Sequence, residues 1–392
     1  MTNQQTLGLV RAFFLLVLSA SPVLGQQLAI EIGEGRFIEV TIPAPSLAGN
    51  LLGDPTEQPV SIYLPPSYHA SPNRRYPVVY LLHGFTGTNR TWMVNSQPES
   101  GEPSLGSTSR DYSHRGYLDG SSLDAQIAEG RIRELIVVAP NTRNAYKSPL
   151  TINSVVAGNW EDYLLKDVIT YVDGNYRTLA NARNRGLSGH SGGGYSAVYV
   201  GMRHPDVFSA VYALSAANLG NIGPFPIDAM DELDPQLERV FERLVNLTSL
   251  QQLPKVTLES PEDFWLNALL AGAASFSPNP NRPPFYADYL FEKRDGKFIK
   301  NEAAFEQRAA KTPIYLIDTN KQNLLSLRGL FLDYGQHENP LLQTSISRFS
   351  KALAERSIPH TLEIYAGGDH DNMIRERLET RVFAFFSDRL AF

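Results

Sequence analysis

The stretch Arg185-Gly186-Leu187-Ser188-Gly189-His190-Ser191-Gly192-Gly193-Gly194-Tyr195 decides how the rest of this chain is interpreted. Within it, Gly189 to Gly193 fits the pattern G-x-S-x-G, which is typical of a sharp turn from a buried strand into a helix. Such a turn exposes its serine hydroxyl, which can then act as a nucleophile. We therefore predict that Ser191 is a nucleophile and that its neighbour His190 contacts the substrate. The alternative is a glycine-rich loop without chemistry.

The residues on both sides of this turn favour the nucleophile. Residues 184–188 can form a short strand, and residues 195–202 can form a helix. The helix is expected to stop near His204-Pro205, because the residue before a proline disfavours the α region. The sequence therefore predicts a strand, a turn and a helix in the order that the serine turn requires.

The composition is that of a globular protein with a large core. Of the 392 residues, 42% are apolar and 19% are charged, which argues against global disorder. The formal net charge is -6 and the chain has no basic stripe, so a nucleic-acid partner is not expected. The absence of cysteine excludes thiol catalysis and cysteine metal sites.

The first 25 residues have the pattern of a secretory signal peptide. Arg11 precedes the short apolar run Ala12-Phe13-Phe14-Leu15-Leu16-Val17-Leu18, and Val23-Leu24-Gly25 offers a cleavage site. The run is shorter than the roughly 20 residues that span a bilayer. We expect removal of residues 1–25 and a secreted or periplasmic protein without a stable membrane span. The alternative is an uncleaved membrane anchor.

Apolar runs along the chain predict the strands of one sheet. Continuous apolar runs are typical of strands covered on both faces of a parallel sheet. Helical patterns alternate with them, as where Leu164, Val168 and Val172 recur at helical spacing. The alternation predicts an α/β fold with a mostly parallel central sheet and helices on both faces. The predicted strands are 60–64, 76–82, 134–140, 184–188, 207–215, 329–335 and 361–365.

Two segments interrupt this alternation. Residues 93–128 are polar and rich in Gly, Ser and Pro, and we interpret them as a long loop over the strand ends. Residues 216–325 are interpreted as an insertion that packs over the active site, with helices at 232–245 and 303–310. We therefore expect a single domain over residues 26–392.

A serine nucleophile needs a general base, and the base needs an orienting carboxylate. In folds with this serine turn, the chain order is Ser, acid, His. His370 directly follows the last predicted strand, in the glycine-containing loop 367–371. That position favours His370 as the base over His337 and over His360, which precedes the strand. The alternative is a surface histidine in a loop.

Three carboxylates compete for the role of the acid. Glu338 lies in the loop three residues beyond Gly335, where its side chain can turn toward His370. Asp333 lies within the predicted strand, and Asp369 is adjacent to His370, where a neighbouring side chain rarely holds the imidazole well. We predict Glu338, with Asp333 as the main rival.

Acyl transfer also needs N–H donors for the developing oxyanion. The first is expected from Gly192, directly after the nucleophile. The second is expected from the loop after strand 76–82, where we assign the N–H of Phe85 in His83-Gly84-Phe85. A plain tight turn is the alternative for this tripeptide. Trp160 either lines the acyl pocket, as a substrate-binding residue, or packs beneath the loops.

Together these motifs resemble the putative-esterase branch of the α/β-hydrolases, which includes esterase D (S-formylglutathione hydrolase), feruloyl esterases, enterochelin esterases and mycolyltransferases. The resemblance runs from about Val60 to the C terminus. It implies an α/β-hydrolase fold and a carboxylic ester hydrolase with a covalent acyl-enzyme. It assigns Ser191 as nucleophile and His370 as base, while Glu338 stands where the family usually has Asp. The residues that carry the resemblance are Tyr80-Leu81-Leu82-His83-Gly84, Gly158-Asn159-Trp160-Glu161-Asp162, Gly189-His190-Ser191-Gly192-Gly193, Arg203-His204-Pro205, Leu332-Asp333-Tyr334-Gly335 and Gly368-Asp369-His370.

We therefore expect a secreted serine esterase for small-molecule or carbohydrate-linked esters. No metal or cofactor is expected, because the H-E-x-x-H, phosphate-loop and dinucleotide patterns are absent. The same residues would serve an acyltransferase of the cell envelope with a sugar or lipid acceptor. A non-catalytic envelope protein would be expected to have a damaged triad, and a serine peptidase would cleave peptide amides. The sequence identifies neither the ester nor the oligomeric state.

Overall fold

The computed structural model describes residues 37–92, 116–118, 120–222, 225–226, 233, 235–254 and 260–392. The predicted signal peptide and most of the predicted loop 93–128 lie outside these residues. Within the described ranges, no helix combines the length and the apolar character needed to cross a membrane.

The described residues contain an eight-stranded central sheet, whose strands are β1 (Phe37–Pro43), β2 (Glu57–Tyr63), β3 (Val78–Leu82), β4 (Ile136–Pro140), β5 (Arg185–His190), β6 (Ala210–Leu214), β7 (Gly329–Gly335) and β8 (Thr361–Tyr365). Their order across the sheet is β1-β2-β4-β3-β5-β6-β7-β8. β2 is antiparallel to both β1 and β4, and the remaining pairs are parallel. The sheet is thus mostly parallel, as predicted.

The longer helices are α1 (Gly120–Ala128), α2 (Ile169–Asn175), α3 (Gly192–Arg203), α4 (Pro235–Val245), α5 (Pro261–Phe276), α6 (Glu302–Ala309), α7 (Pro340–Glu355) and α8 (Phe383–Arg389). Trp160–Asp162 and the π-helical Tyr163–Val168 lead into α2, and Ile374–Arg377 and the π-helical Leu378–Val382 lead into α8. Shorter helices are Ser67–Ala70, Pro313–Leu316 and Lys321–Ser326, with 3-10 turns at Pro45–Leu47, Asn89–Trp92, Ala182–Asn184 and Leu250–Gln252.

Helices cover both faces of the sheet, as alternate residues of β3 indicate. Val78, Tyr80 and Leu82 are buried in a core with α3 and the helical run before α2. Val79 and Leu81 are buried on the opposite face, in a core that includes α1 and α8. This burial on both faces explains why the central strands read as continuous apolar runs. The architecture is the α/β-hydrolase fold, and the predicted fold class is confirmed.

The observed elements differ from the predicted ones at the end of the loop 93–128 and at the start of the strand 207–215. The prediction of a loop over residues 93–128 was wrong for its last residues, because Gly120–Ala128 form helix α1. The Gly-Ser-Ser start of α1 has a loop-like composition, but Leu123 is fully buried in the core beneath α8. The predicted strand 207–215 is shorter, because Val207 and Phe208 still belong to the turn after α3 and donate their N–H groups to His204.

The insertion 216–325 has a buried apolar cluster of its own, made by α4, α5, α6 and a hairpin of Phe291–Arg294 with Lys297–Lys300. α5 was not predicted, although its start carries clear signals. The Ser260 side chain accepts a hydrogen bond from the N–H of Asp263, and Pro261 occupies the first turn. Ten of its sixteen residues are buried, so no polar face marks the helix in the sequence.

Candidate active site

Ser191 lies at the turn between β5 and α3 in a conformation that non-glycine residues seldom adopt. Its φ is 56° and its ψ is -116°. Backbone hydrogen bonds hold it there. The Ser191 N–H donates to Leu214 at the end of β6 at 3.0 Å, and its carbonyl accepts from Tyr195 at 3.0 Å and Ala217 at 2.9 Å. Strained residues of this kind persist only where their surroundings hold them.

The glycines of the motif are required by close packing. A β-carbon on Gly193 would lie 2.1 Å from the carbonyl oxygen of Leu82 at the end of β3. A β-carbon on Gly189 would lie 2.4 Å from the carbonyl carbon of Gly193. The first turn of α3 therefore crosses directly over two strand ends, which only glycine permits.

Glu338 and His370 are joined by a hydrogen bond. The Nδ1 of His370 lies 2.8 Å from Oε2 of Glu338, whose side chain is fully buried. Burial lowers the pKa of His370, but the hydrogen bond and charge of Glu338 outweigh this effect and raise the pKa above its ordinary 6.5. Burial likewise opposes the charge of Glu338, but the bond to His370 leaves the Glu338 pKa lowered. Since Nδ1 donates to Glu338, Nε2 is the nitrogen left to serve as a base.

Glycines also bring the acid loop and the base loop together. A β-carbon on Gly335, at the end of β7, would lie 2.2 Å from the carbonyl oxygen of Gly368. That carbonyl accepts the N–H of His337 at 2.7 Å, and the carbonyl of Tyr365 accepts the N–H of Gln336 at 2.8 Å. The two loops therefore run side by side, which lets the longer arm of glutamate reach the imidazole.

Asp333, the rival acid, is bound to other partners. Its Oδ2 accepts a hydrogen bond from the hydroxyl of Tyr212 at 2.7 Å and from Nε of Arg377 at 2.9 Å. Nη2 of Arg377 lies 2.8 Å from the same oxygen. Asp333 is therefore part of a buried ion pair with Arg377, while Glu338 contacts His370.

The remaining candidates also have structural partners. Oδ1 of Asp369 accepts two backbone N–H groups of the turn that follows it, both at 2.8 Å. Nε2 of His360 lies 2.7 Å from Oγ of Ser350, and its Nδ1 lies 2.9 Å from the carbonyl of Ile358. His337 is exposed and lines the cavity described next.

Ser191, Glu338 and His370 line one cavity of about 710 Å³. The sheet side contributes the serine turn and the two loops that carry the acid and the base. The opposite wall comes from the insertion, so the insertion lies over the serine. Its helices α5 and α6 contribute Pro261, Phe264, Trp265, Ala268, Ala271, Gly272 and Arg308, and its first residues contribute Ala217, Asn218 and Asn221.

The expected oxyanion donors lie next to each other at this cavity. A β-carbon on Gly192 would lie 3.9 Å from the backbone nitrogen of Phe85, and both residues line the cavity. The N–H of Gly192 is in the first turn of α3, where helical N–H groups have no partner within the helix. The two N–H groups can therefore serve one oxygen atom that enters between them.

His83 fixes the loop that carries Phe85, a role the sequence alone did not indicate. Its side chain is fully buried, and burial lowers the pKa of His83 to about 4. The neutral ring bridges two loops. Nδ1 lies 2.9 Å from the carbonyl of Gly84, and Nε2 accepts the N–H of Thr142 at 3.0 Å. Its place directly after a buried strand was the available signal.

His190 and Trp160 do not line the cavity, whereas His190 was expected to contact the substrate and Trp160 either to line the acyl pocket or to pack beneath the loops. The buried His190 places its Nε2 2.8 Å from the carbonyl of His370, and the two rings are 4.6 Å apart. Trp160 packs edge-on against Tyr163 and donates its Nε1–H to Ala157 at 2.7 Å. His190 therefore positions the base, and Trp160 belongs to the core.

The Trp-Glu-Asp and Arg-His-Pro motifs meet where the half-buried Arg203 and His204 contact the buried Glu161. The carboxylate of Glu161 accepts from Nη1 of Arg203 at 2.5 Å and lies 2.7 Å from Nε2 of His204. These residues connect the helical run before α2 to the end of α3. The two motifs thus hold the helix that follows the nucleophile.

One group of side chains among the described residues could offer ligands to a metal ion. Ligand atoms of His190, His370 and Asp371 lie within 4.8 Å of one another. Two of the four imidazole nitrogens already have partners, because Nε2 of His190 is hydrogen-bonded to the carbonyl of His370 and Nδ1 of His370 to Glu338. These two nitrogens are therefore not free to bind a metal ion.

Comparison with known proteins shows the family of this chain. The family model described as "Putative esterase" matches residues 55–378. The chain belongs to the putative esterase family. That match covers the sheet from β2 onward, the insertion and both loops that carry the acid and the base.

Curated relatives match the chain over shorter segments. An endo-1,4-beta-xylanase/feruloyl esterase of Xylanibacter ruminicola is 29% identical over 155 residues, which are 38% of this chain and 18% of that protein. An esterase of Mycobacterium tuberculosis is 28% identical over 141 residues, which are 36% of this chain and 25% of that protein. The aligned segments thus span a quarter or less of these relatives.

Among solved structures, a ferulic acid esterase is similar with a TM-score of 0.54 and 19% identity, covering 91% of this chain and 99% of that one. At this identity the likeness concerns the fold.

Proposed function

We propose that this member of the putative esterase family hydrolyses carboxylic esters through a covalent acyl-enzyme on Ser191. The observation that carries the proposal is the 2.8 Å hydrogen bond between Glu338 and His370 at the cavity that Ser191 also lines. The names of the relatives, a feruloyl esterase and a mycobacterial esterase, support the reaction class.

The proposed reaction has two halves. In the first, Oγ of Ser191 attacks the ester carbonyl carbon while Nε2 of His370 takes the hydroxyl proton. The N–H groups of Phe85 and Gly192 stabilise the oxyanion, and Glu338 stabilises the imidazolium. The alcohol leaves with the proton from His370, and the acyl group stays on Ser191. In the second half, water attacks the acyl carbon while Nε2 of His370 takes its proton. The bond from the acyl carbon to Oγ of Ser191 then breaks and His370 returns the proton to Oγ, which releases the acid and restores the serine.

The test is hydrolysis of p-nitrophenyl esters of short and long acyl chains, with feruloyl esters beside them. We expect Ser191→Ala to lower kcat by at least about 10⁴-fold, because loss of the nucleophile removes the entire covalent route. Ser326→Ala, a change at an exposed serine, is the matched control and should retain the wild-type rate. Steady-state turnover by Ser191→Ala would contradict the proposal.

Acyl transfer uses the same acyl-enzyme and differs only in the acceptor. Product analysis separates the two reactions when a sugar or lipid alcohol competes with water. Free acid as the main product supports hydrolysis, whereas a new ester that forms in proportion to the acceptor supports the transferase.

We further propose that the protein is exported and loses residues 1–25. The short apolar run and the Val23-Leu24-Gly25 site support this. N-terminal sequencing of the protein from the periplasm or medium should begin at Gln26. A cell-retained protein that begins at Met1 would contradict export.

A further inference from the structure

The insertion places a buried cation at the cavity. Arg308 of α6 is only 5% exposed, yet it lines the same cavity as Ser191. Its guanidinium lies over the ring of Phe276, with Cζ 4.4 Å from the ring centroid. A β-carbon on Gly272 of α5 would lie 3.2 Å from its Nη1. The glycine therefore leaves room for the charged group at the wall of the cavity.

Arg308 has no carboxylate partner among the described residues. Its Nε is buried without a hydrogen-bond acceptor there, and the ion pairs of the described chain do not include it. Burial lowers the pKa of Arg308 to about 10, and Tyr195 is the one group that raises it again. The guanidinium is thus charged at neutral pH. Arg377, by contrast, is equally buried but bound by both Asp333 and Glu363.

The groups around Arg308 do not supply the missing acceptor. The hydroxyl of Tyr195 donates to the carbonyl of Lys311 at 2.6 Å. The Nζ of Lys311 donates to the carbonyls of Phe276 at 2.7 Å and Ser275 at 3.2 Å, at the C-terminal end of α5. Among the described residues, these neighbours of Arg308 thus include a second cation, Lys311, and no carboxylate that contacts the guanidinium.

We propose that Arg308 binds a free carboxylate carried by the substrate. The ester cleaved at Ser191 is then one whose acyl or alcohol part bears a second, ionised acid group. The guanidinium presents paired N–H donors in the planar arrangement that a carboxylate accepts. This inference rests on the proposed ester hydrolysis, and it adds the substrate class to it.

A role of Arg308 in binding and a role in the fold predict opposite effects on stability. A buried charge without a partner destabilises a folded protein, so side chains of this kind are usually paired or replaced. Methionine has a similar length and would fill the same space against Phe276. If Arg308 serves the fold, it should stabilise the protein without ligand. If Arg308 serves a ligand, it should lower the stability of the protein without ligand.

The kinetic test compares esters that differ only in the carboxylate. For the acyl side, the pair is mono-p-nitrophenyl glutarate and p-nitrophenyl valerate. For the alcohol side, the pair is 4-acetoxybenzoate and 4-acetoxybenzamide. We expect about 10- to 100-fold higher kcat/KM for the anionic member of one pair, the size of a charge-assisted hydrogen bond. Arg308→Met should bring that ratio to about one, and Arg308→Lys should retain part of it.

The matched control is Arg294→Met, which removes the same charge from the insertion hairpin, where the side chain is 66% exposed. It should keep the wild-type ratio. Equal rates within both pairs, or an Arg308→Met variant with an unchanged ratio, would overturn the inference while leaving ester hydrolysis in place.

A binding measurement separates this inference from the proposed function. By calorimetry, glutarate or 4-hydroxybenzoate should bind Ser191→Ala, and Ser191→Ala with Arg308→Met should lose at least about 10-fold in affinity. This result does not depend on turnover. Arg308→Met alone should unfold at or above the wild-type temperature. Equal binding by the two proteins, or a lower unfolding temperature for Arg308→Met, would mean that the guanidinium serves the fold and would overturn the inference.

Discussion

The two sides of the cavity are built in different ways. On the sheet side, Ser191 and its partners are held by backbone hydrogen bonds and by glycines too close to neighbouring carbonyls to carry a side chain. On the insertion side, α5 and α6 contribute side chains such as Phe264 and Arg308, which helix packing holds in place. The sheet side therefore leaves little space for other side chains, whereas the wall from α5 and α6 consists of side chains. We infer that the sheet side determines the reaction and the insertion determines the substrate.

The strongest test of this contrast is Gly193→Ala. The added β-carbon would lie 2.1 Å from the carbonyl oxygen of Leu82, and neither backbone can move without displacing Ser191. We expect a loss of more than about 4 kcal/mol in the free energy of unfolding, measured by urea denaturation. Gly174→Ala is the matched control, because its β-carbon would meet nothing within 4 Å on the exposed face of α2. It should gain up to about 1 kcal/mol. A folded, active Gly193→Ala would show that the turn is not rigid.

The next test separates the two buried acids of the sheet side. Glu338→Gln keeps the shape but loses the charge that orients and stabilises His370, so we expect kcat to fall by about 10²- to 10⁴-fold with little change in stability. Asp333→Asn breaks the pair with Arg377 and should destabilise the protein by about 3 kcal/mol while kcat changes by less than about 10-fold. Ester assays and urea denaturation of both variants make the comparison. The reverse pattern would make Asp333 the acid.

The contrast between the two sides also explains what could be predicted from the sequence. β7 and β8 were predicted with their observed bounds. β7 lies inside the sheet and has a largely apolar, buried sequence, whereas β8 is an edge strand of mixed polar and apolar residues with Ile364 exposed. Glu338 and His370 could be selected because the chain order and the ends of these strands limit which loops meet. The order of the strands and of the loops that follow them could thus be predicted from the sequence.

Features that depend on side-chain packing were harder to predict from the sequence. α5 was missed because most of its residues are buried and no polar face marks its period, although Ser260 and Pro261 signal its start. The hairpin around Asp295 and Gly296 was missed too, although an Asp-Gly pair is a signal for a hairpin turn. Both residues have a positive φ in the structure. The roles of His190 and Arg308 depend on contacts between segments far apart in sequence, which periodicity cannot reveal.

A smaller effect is expected on the insertion side. Phe264 of α5 lines the cavity and packs edge-on against Phe85, with ring centroids 5.6 Å apart. Phe264→Ala should lower the ratio of kcat/KM for feruloyl esters over acetyl esters by about 10-fold, through lost apolar contact. Phe298→Ala, which removes a ring on the hairpin that packs against Phe241, is the control and should keep the ratio. An equal loss on both esters would mean that the insertion supports the reaction itself, which would break the contrast.

The smallest effect expected is a shift in pH dependence. The base must be neutral, so kcat/KM should rise with pH through the pKa of His370 and then level off. Glu338 raises that pKa above 6.5, whereas burial lowers it. Glu338→Gln removes the raising charge and leaves the burial, so the acidic limb of the profile should move to lower pH, beneath a lower plateau. Glu363→Gln is the control, because it removes a negative charge that is paired with Arg377. The acidic limb of the pH profile of this variant should stay near that of the wild type. A limb that moves to higher pH in Glu338→Gln would mean that another acid holds His370, and the sheet side would then be less rigid than its backbone indicates.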